Sequence, residues 1–503
     1  AMISKLLIAN RGEIAIRIIR AAREMGIGTV AVYSEADAHS MHVALADEAV
    51  LLGAPEPGES YLRIDKIIDA ARSTGADAIH PGYGFLSERE ELPEACEEAG
   101  ITFVGPPASA MRSLGSKIDA KTLAVRAGVP ITPGFFEKGA SEERLGQAAD
   151  EIGYPVMLKA SAGGGGRGMR IVRDPESFRE ELRIASDEAL KAFGDGAMMV
   201  EKLVDRPRHV EVQVLADRHG NAAVLYEREC SIQRRHQKLI EEAPAPVFSR
   251  EIASGVSPRM REAALNLVRE SGYVNAGTLE FLVDPTSGEF YFMEVNARLQ
   301  VEHPVTEMIT GVDLVQQQLR IAGGAALDVP APVLAGDRAG INGHSIEVRI
   351  VAEDPAAGFM PSIGPVRYWA EPKMPGVRVD SGYSTGAEVS RYYDSLLAKV
   401  IVHASTRESA LDRLEAALLD FHVLGVKTNI EYILDVIRSQ GFREGDFDTG
   451  YLGREFSDWQ PSEELPAELG AIVSRAGVSA VGKAAEKETA TAWAAVDGFR
   501  NAR

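Results

Sequence analysis

Cysteine is nearly missing from this chain. Its 503 residues include two, Cys96 and Cys230, too few for a disulfide framework, and a reduced cytosolic setting is the simpler reading. Positive charge is also short. Lys and Arg number 54 against 74 Asp and Glu, a net charge of −20, which argues against general affinity for nucleic acid or anionic membranes. No apolar run approaches the roughly 18–20 residues needed to cross a bilayer. The strand-like run Lys5-Leu-Leu-Ile-Ala-Asn10 arrives too early to leave room for a signal peptide, and Ala1 ahead of Met2 reads as an added residue. Two familiar phosphate-binding signatures are absent too. The first turn, Asn10-Arg-Gly-Glu-Ile-Ala15, has one glycine where a dinucleotide fold needs Gly-x-Gly-x-x-Gly, and no Gly-Lys-Ser/Thr follows the glycine-rich loop described below.

What is present is ordinary globular composition, 45% hydrophobic and 25% charged, over a length suited to about three domains. Residues 1–115 alternate strand and helix. Ile14, Ile18, Ala22 and Met25 recur at helical spacing, Thr29-Val-Ala-Val-Tyr33 reads as the next strand, and further units follow to Ile101–Gly105. Such alternation predicts a parallel sheet. Residues 116–325 change to longer strands and hairpins, with a lid over about 132–204. Residues 335–448 read as mixed α+β, with strands at His344–Val351 and Lys399–His403 and a helix near Arg407–Leu419. A variable tail, 449–503, is expected to be partly helical packing or a partner surface.

Three segments carry chemistry. The strand Tyr154–Lys159 leads into Ala-Ser-Ala-Gly163-Gly-Gly-Gly166-Arg-Gly168 and out into the strand Met169–Val172. Glycines let backbone amides approach a polyphosphate, so a flap closing over phosphate, with Lys159 beside it, is expected. The second segment, Thr278–Asn296, predicts a hairpin centred near Ser287, with Glu280 opposite Glu294. Like charges across a ladder need a neutraliser, and a hard divalent cation fits, with Asn296 on the same face. The third, Arg298-Leu-Gln300-Val-Glu302, projects its polar side chains to one side if the backbone is extended. Arg298 and Gln300 can hold a small oxyanion, and Glu302 can act as a base. A basic cluster, Gln233-Arg-Arg-His236-Gln-Lys238, runs against the acidic balance of the whole. His42 and the pair Tyr392-Tyr393 read as structural.

Together with His80-Pro-Gly-Tyr-Gly-Phe-Leu-Ser-Glu88, Glu229–Lys238, Glu294–Pro304 and Gly343-His-Ser-Ile-Glu-Val-Arg349, these segments make a chain that resembles the biotin carboxylases of the ATP-grasp superfamily from about Lys5 to Tyr451. The resemblance implies an α/β and α+β fold: an N-terminal pre-ATP-grasp domain with a parallel sheet, an ATP-grasp domain with a mobile glycine-rich lid, and a C-terminal α+β domain. It implies that Lys117, Lys159 and Gly163, Gly164, Gly165, Gly166 and Gly168 hold ATP phosphates. Glu201, Lys202 and Val204 would line the adenine pocket, with His209, Gln233 and His236 at the ribose and nearby phosphate. Glu280, Glu294 and Asn296 would ligate Mg2+ or Mn2+. Lys238, Arg298, Gln300 and the Val301 amide would bind bicarbonate, which Glu302 deprotonates. Attack on the γ-phosphate gives carboxyphosphate, and Arg349 would stabilise the biotin enolate. Tyr83 and Asp394 match positions at the biotin end, and Arg20 and Glu24 match positions in a two-fold homodimer. Ala297, Leu299 and Ser116 depart from the more usual Thr, Ile and Asp.

No Met-Lys-Met biotin acceptor occurs, so the biotin carrier protein and the carboxyltransferase are expected as separate chains. The final acceptor could be acetyl-CoA, propionyl-CoA or pyruvate, since the transferase selects it. Two other readings stand beside this one. A different ATP-grasp ligase would share the flap and metal pair without calling for Arg349, and a nucleotide-binding scaffold would need none of the charged set.

Overall fold

The computed structural model describes residues 2–115, 117–161, 168–250 and 255–462. The N-terminal alternation produces a five-stranded sheet in the order Glu48–Gly53, Gly28–Ser34, Lys5–Ile8, Ala78–His80, Thr102–Phe103, with every neighbouring pair parallel. Its central strands are apolar on both faces because helices cover both. Leu6 and Ile8 pack with Ile14 and Ile18 of the helix Gly12–Glu24. Leu7 and Ala9 pack on the other side with Ile67 and Ala71 of the helix Ile64–Thr74. Asn10 then staples the loop that follows the strand Ala78–His80, donating from Nδ2 to the carbonyls of Pro81 and Tyr83. A Cβ on Gly82 would lie 2.9 Å from the Asn10 amide at a φ of +64°, so only glycine fits that close approach.

The strands on either side of the glycine-rich segment belong to a separate four-stranded sheet, ordered Gly134–Phe135, Met198–Lys202, Val156–Ala160, Met169–Val172. Two helices cover it. Pro175–Phe193 starts cleanly because the Asp174 side chain accepts from the Ser177 amide and Pro175 occupies the first turn, and it stops at left-handed Gly194. Leu145, Val156, Leu158, Phe178, Leu182 and Val200 form a separate core, each large side chain contributing roughly 1.5–3 kcal/mol. This unit therefore has a core of its own.

The largest sheet has eight antiparallel strands: Phe290–Asn296, Asn275–Val283, Arg208–Ala216, Ala222–Arg234, Gln237–Ala243, His344–Val351, Leu396–Ala404 and Val377–Ser381. It runs straight across the division read at 325–335. Gln237–Ala243 pairs with His344–Val351, and Ile240, Ile346 and Val348 share one core with Leu414 and Ile433. The helix His303–Thr310 lies against this sheet. Of the tail, Tyr451–Glu455 is helical, and Phe456 and Trp459 pack on Tyr432, with the Trp459 indole donating to Asp435 at 2.7 Å. Residues from 463 onward lie outside the described part. Tyr393 packs against Tyr61 and Phe85, and buried His42 contacts the Val32 carbonyl at 2.9 Å, so these residues are structural as expected. Among the described residues, no helix is long and apolar enough to cross a membrane.

Candidate active site

The hairpin register is as predicted: Glu280 pairs with Glu294 and Thr278 with Asn296. The next strand extends the row, because Glu211 pairs with Glu280 on its other side and with Arg228 beyond that. Cross-strand partners share a face, so Arg228, Glu211, Glu280 and Glu294 form one line across the sheet. Glu211 is fully buried and Glu280 nearly so, so this is no solvated acidic surface. Glu211 was missed in the sequence, although a signal existed: His209, Glu211 and Gln213 alternate with valines in a strand buried on both faces.

Lys238 joins the row to Glu302. Its ammonium donates to Glu211, Glu280 and Glu302, each at 2.7 Å. Arg349 approaches Glu302 from the opposite side at 3.0 Å and holds Glu241 at 2.6 Å. Asn296 donates to Glu280 at 3.0 Å, and Gln300 reaches the same oxygen at 3.4 Å. Arg298 donates to Gln300 at 2.7 Å, to Asn296 at 3.3 Å and to Glu88 at 3.0 Å. Glu88 also accepts from the Ala297 amide at 2.9 Å, which explains how the far N-terminal motif orients this arginine. The segment is not the extended strand expected from spacing. Glu302 has φ −86° and ψ 10° and precedes the helix His303–Thr310, so it follows Arg298 and Gln300 by a turn, and Lys238 and Glu280 link it back to Gln300.

The electrostatics follow from that packing. Burial alone would raise the Glu302 carboxyl, but Lys238, Arg349 and Arg228 overcome it and hold the group well below the usual carboxylate range. Burial likewise opposes ionisation of Glu280, and Lys238 and His209 hold it low. Burial disfavours the Lys238 ammonium, yet Glu211 and Glu302 push its pKa well above normal. Each charge is kept by its neighbours. Glu302 is therefore ionised at neutral pH, as a base must be.

A cavity of about 580 Å3 opens beside this row, between the glycine-loop unit and the large sheet. Lys159, Glu201, Lys202, Val204, His209, Gln233, His236 and Glu294 all line it. Lys159 forms an ion pair with Glu201, and Lys121, not anticipated from sequence, stands 3.9 Å from the same carboxylate. The basic cluster is a tight hairpin: Gln233 pairs with Lys238, and Arg235 and His236 turn at φ +49° and +65°. Non-glycine residues pay a cost for that conformation, and here it turns Arg235 and His236 toward the cavity. At Gly168 a Cβ would sit 2.9 Å from that of Ala160 at φ +69°, so packing and backbone both call for glycine there. Gly163, Gly164, Gly165 and Gly166 lie outside the described residues, as does the side chain of Lys117, whose backbone begins the helix Lys117–Arg126.

Tyr83 bonds through its hydroxyl to buried Glu13, and it feels the charges of both Arg349 and Asp394. Asp394 is exposed and accepts from the Leu396 amide at 2.7 Å. The Val301 carbonyl accepts from Lys399 at 2.6 Å. Arg20 and Glu24 line a separate cleft of about 390 Å3 with Glu13, Arg17, Glu307, Arg378 and Asp380.

Residues 2–111 match the biotin carboxylase N-terminal domain, 116–329 the ATP-binding domain of the carbamoyl-phosphate synthase L chain, and 347–454 the biotin carboxylase C-terminal domain. A pyruvate carboxylase subunit of Methanothermobacter thermautotrophicus is 48% identical over 451 residues, covering 90% of each chain. The chain belongs to the biotin carboxylase family. It has the three-part architecture of that family. The alpha subunit of rat mitochondrial methylcrotonoyl-CoA carboxylase is 49% identical over 466 residues, which are 92% of this chain and 64% of that one. The chain thus spans somewhat less than two thirds of such relatives. The biotin carboxylase domain dimer of Hydrogenobacter thermophilus 2-oxoglutarate carboxylase, in complex with magnesium ADP, ADP and bicarbonate, superposes with a TM-score of 0.79 at 46% identity, over 92% of this chain and all of that one. A magnesium nucleotide suits the residues here: the paired carboxylates Glu280 and Glu294 offer hard oxygen donors at the cavity edge.

Proposed function

We propose that this biotin carboxylase uses ATP and bicarbonate to carboxylate biotin on a carrier protein. That is the first half-reaction of a carboxylase whose acceptor is an acyl-CoA, acetyl-CoA among them as in fatty acid synthesis, or pyruvate. The single observation that carries the reading is the Lys238 ammonium clasping Glu280 and Glu302 at once, because it puts the metal-binding edge of the nucleotide cavity one side chain away from the base. Lys117, Lys159 and the amides of Gly163–Gly168 would hold the phosphates, with Glu201, Lys202 and Val204 at the adenine and His209, Gln233 and His236 at the ribose. Glu280, Glu294 and Asn296 would hold magnesium, which when bound screens the phosphate charge. Lys238, Arg298, Gln300 and the Val301 amide would fix bicarbonate, and Glu302 would take its proton. A bicarbonate oxygen then attacks the γ-phosphorus, releasing ADP and forming carboxyphosphate, which divides into carbon dioxide and phosphate; the phosphate takes the ureido proton of biotin, and the ureido nitrogen bonds to the carbon dioxide. Arg349 would stabilise negative charge as it develops at the biotin end, with Tyr83 and Asp394 nearby.

The domain limits that fit this reading are 1–115, 116–325 with its lid at about 132–204, 335–448, and a tail at 449–503. We place the protein in the cytoplasm as a homodimer through the Arg20–Glu24 face, with carrier and transferase as separate chains. The testing experiment measures ADP release with bicarbonate, free biotin and magnesium, each omitted in turn. ADP release that needs bicarbonate and magnesium and is accelerated by biotin supports the function, and turnover indifferent to biotin refutes it.

One variant checks the metal pair. Glu294→Gln should keep the hairpin but weaken magnesium activation, raising the magnesium concentration for half-maximal rate on the order of 10- to 100-fold. Titration of the ADP-release rate with magnesium at fixed ATP measures it.

A further inference from the structure

The charged residues of the site do not end at Arg349. On the neighbouring strand, directly across the ladder, stands Lys399, and across from Lys399 stands Asp380. Lys399 is fully buried. Two cations side by side in a sheet repel, and a lysine with no exposure carries a large desolvation cost unless its charge is matched. Arg349 is matched by Glu241 and Glu302. Lys399 is matched differently. Its ammonium lies 3.3 Å from Glu13 and 3.9 Å from Asp380, and it donates at 2.6 Å to the backbone carbonyl of Val301.

Those partners come from three separate parts of the chain. Glu13 is in the first turn of the first helix and accepts the Tyr83 hydroxyl. Val301 is in the turn between Arg298 and Glu302. Lys399 and Asp380 belong to the C-terminal strands. One ammonium thus grips the peptide unit whose nitrogen belongs to Glu302 and, through one carboxylate, the hydroxyl of Tyr83. We propose that Lys399 is a positioning residue for the carboxylation reaction: it locks the Val301–Glu302 peptide and, by way of Glu13, the Tyr83 hydroxyl, so that the oxyanion-binding turn and the biotin end keep a fixed separation. A hydrophobic side chain could fill the space, but could neither hold the carbonyl nor neutralise Glu13. The nucleotide cavity shares none of these contacts, so the proposal predicts an effect confined to one end of the site.

This inference rests on the proposed function and is tested within it. Lys399→Met keeps the length of the side chain and removes its charge. With wild type and variant compared under saturating magnesium, kcat/KM for bicarbonate and for biotin should fall on the order of 10- to 100-fold, while the KM for ATP stays within about twofold. Lys399→Arg, which keeps the charge, should recover part of the loss. If Lys399→Met does not fold, Glu13→Gln keeps the volume and a partner for Tyr83 but removes the counter-charge, and it must show the same selective loss. Unchanged kcat/KM for bicarbonate and biotin in the folded variant overturns the assignment. So does a loss matched by an equal rise in the KM for ATP, which marks general loosening. A wild type without biotin-dependent turnover refutes the proposed function, and this assignment with it. A wild type that turns over beside an unaffected variant refutes the assignment alone.

Discussion

Replacing Glu302 with Gln is expected to lower bicarbonate-dependent ATP cleavage on the order of 10²–10⁴-fold, the usual range for loss of a positioned base. Glutamine has nearly the same shape, and its one oxygen can still accept from either Lys238 or Arg349, which contact separate oxygens of Glu302 at 2.7 and 3.0 Å, while its amide nitrogen faces the other. The turn should therefore survive, and so should ATP binding, because Glu302 does not line the nucleotide cavity. Calorimetric ATP affinity beside steady-state ADP release separates the two. A variant retaining more than a tenth of the bicarbonate-dependent rate would remove Glu302 from the role of base. Charge also predicts the pH behaviour. Glu302 and Glu280 are both held below the usual value of about 4.5 by Lys238 and their other cationic neighbours, against burial. A carboxylate depressed on folding contributes stability that is complete above its unfolded pKa and is lost as pH falls below it. Wild-type unfolding by acid should accordingly set in below about pH 4.5, and Glu302→Gln should flatten that dependence.

The parts of this site that could be read in advance share a local cause. A hairpin's register depends on its turn, so the Asp284–Gly288 turn was enough to set Glu280 opposite Glu294. Strand and helix alternation likewise implies parallel neighbours without further information, and the five-stranded sheet agrees. What could not be read depends on distant pairing. Nothing near Glu241 says that it will face Glu347 across the ladder, a hundred residues on. Lys399 looks like one polar residue in an apolar strand until Arg349 and Asp380 are placed on either side. Spacing alone also misjudged Arg298 to Glu302, where helix initiation at His303 overrode the extended backbone that alternation suggested. Glu88 went unassigned because its partner, Arg298, is separated from it by two sheets' worth of chain.

Arg349 offers the opposite outcome from Glu302, and the contrast is what makes the pair informative. Arg349→Met should reduce biotin carboxylation on the order of 10²–10³-fold, as for removal of a donor aimed at developing charge, yet leave bicarbonate-dependent ATP cleavage without biotin largely intact. Glu302 keeps Lys238 as a partner in that variant, so the base remains charged and placed. Glu241 does not fare so well. It is fully buried and already raised by burial, with Arg349 as its opposing cation at 2.6 Å. Beside it Glu347 is also buried, which pushes its carboxyl well above the usual range, and neither of its oxygens has a hydrogen-bond partner among the described residues. Losing the guanidinium from this group should cost about 3–5 kcal/mol of stability if Glu241 stays charged, and less if it takes up a proton. That gives the variant a pH signature. Its Glu241 carboxyl rises further than the already raised wild-type one, so above the wild-type value the folded variant keeps a proton that folded wild type and the unfolded chain have released, and the stability deficit against wild type should grow as pH rises through that range. Denaturant melts at pH 5 and pH 8, with carboxybiotin formation and ADP release assayed separately, check both halves. Equal loss of the two activities would place Arg349 with the base rather than with the biotin end.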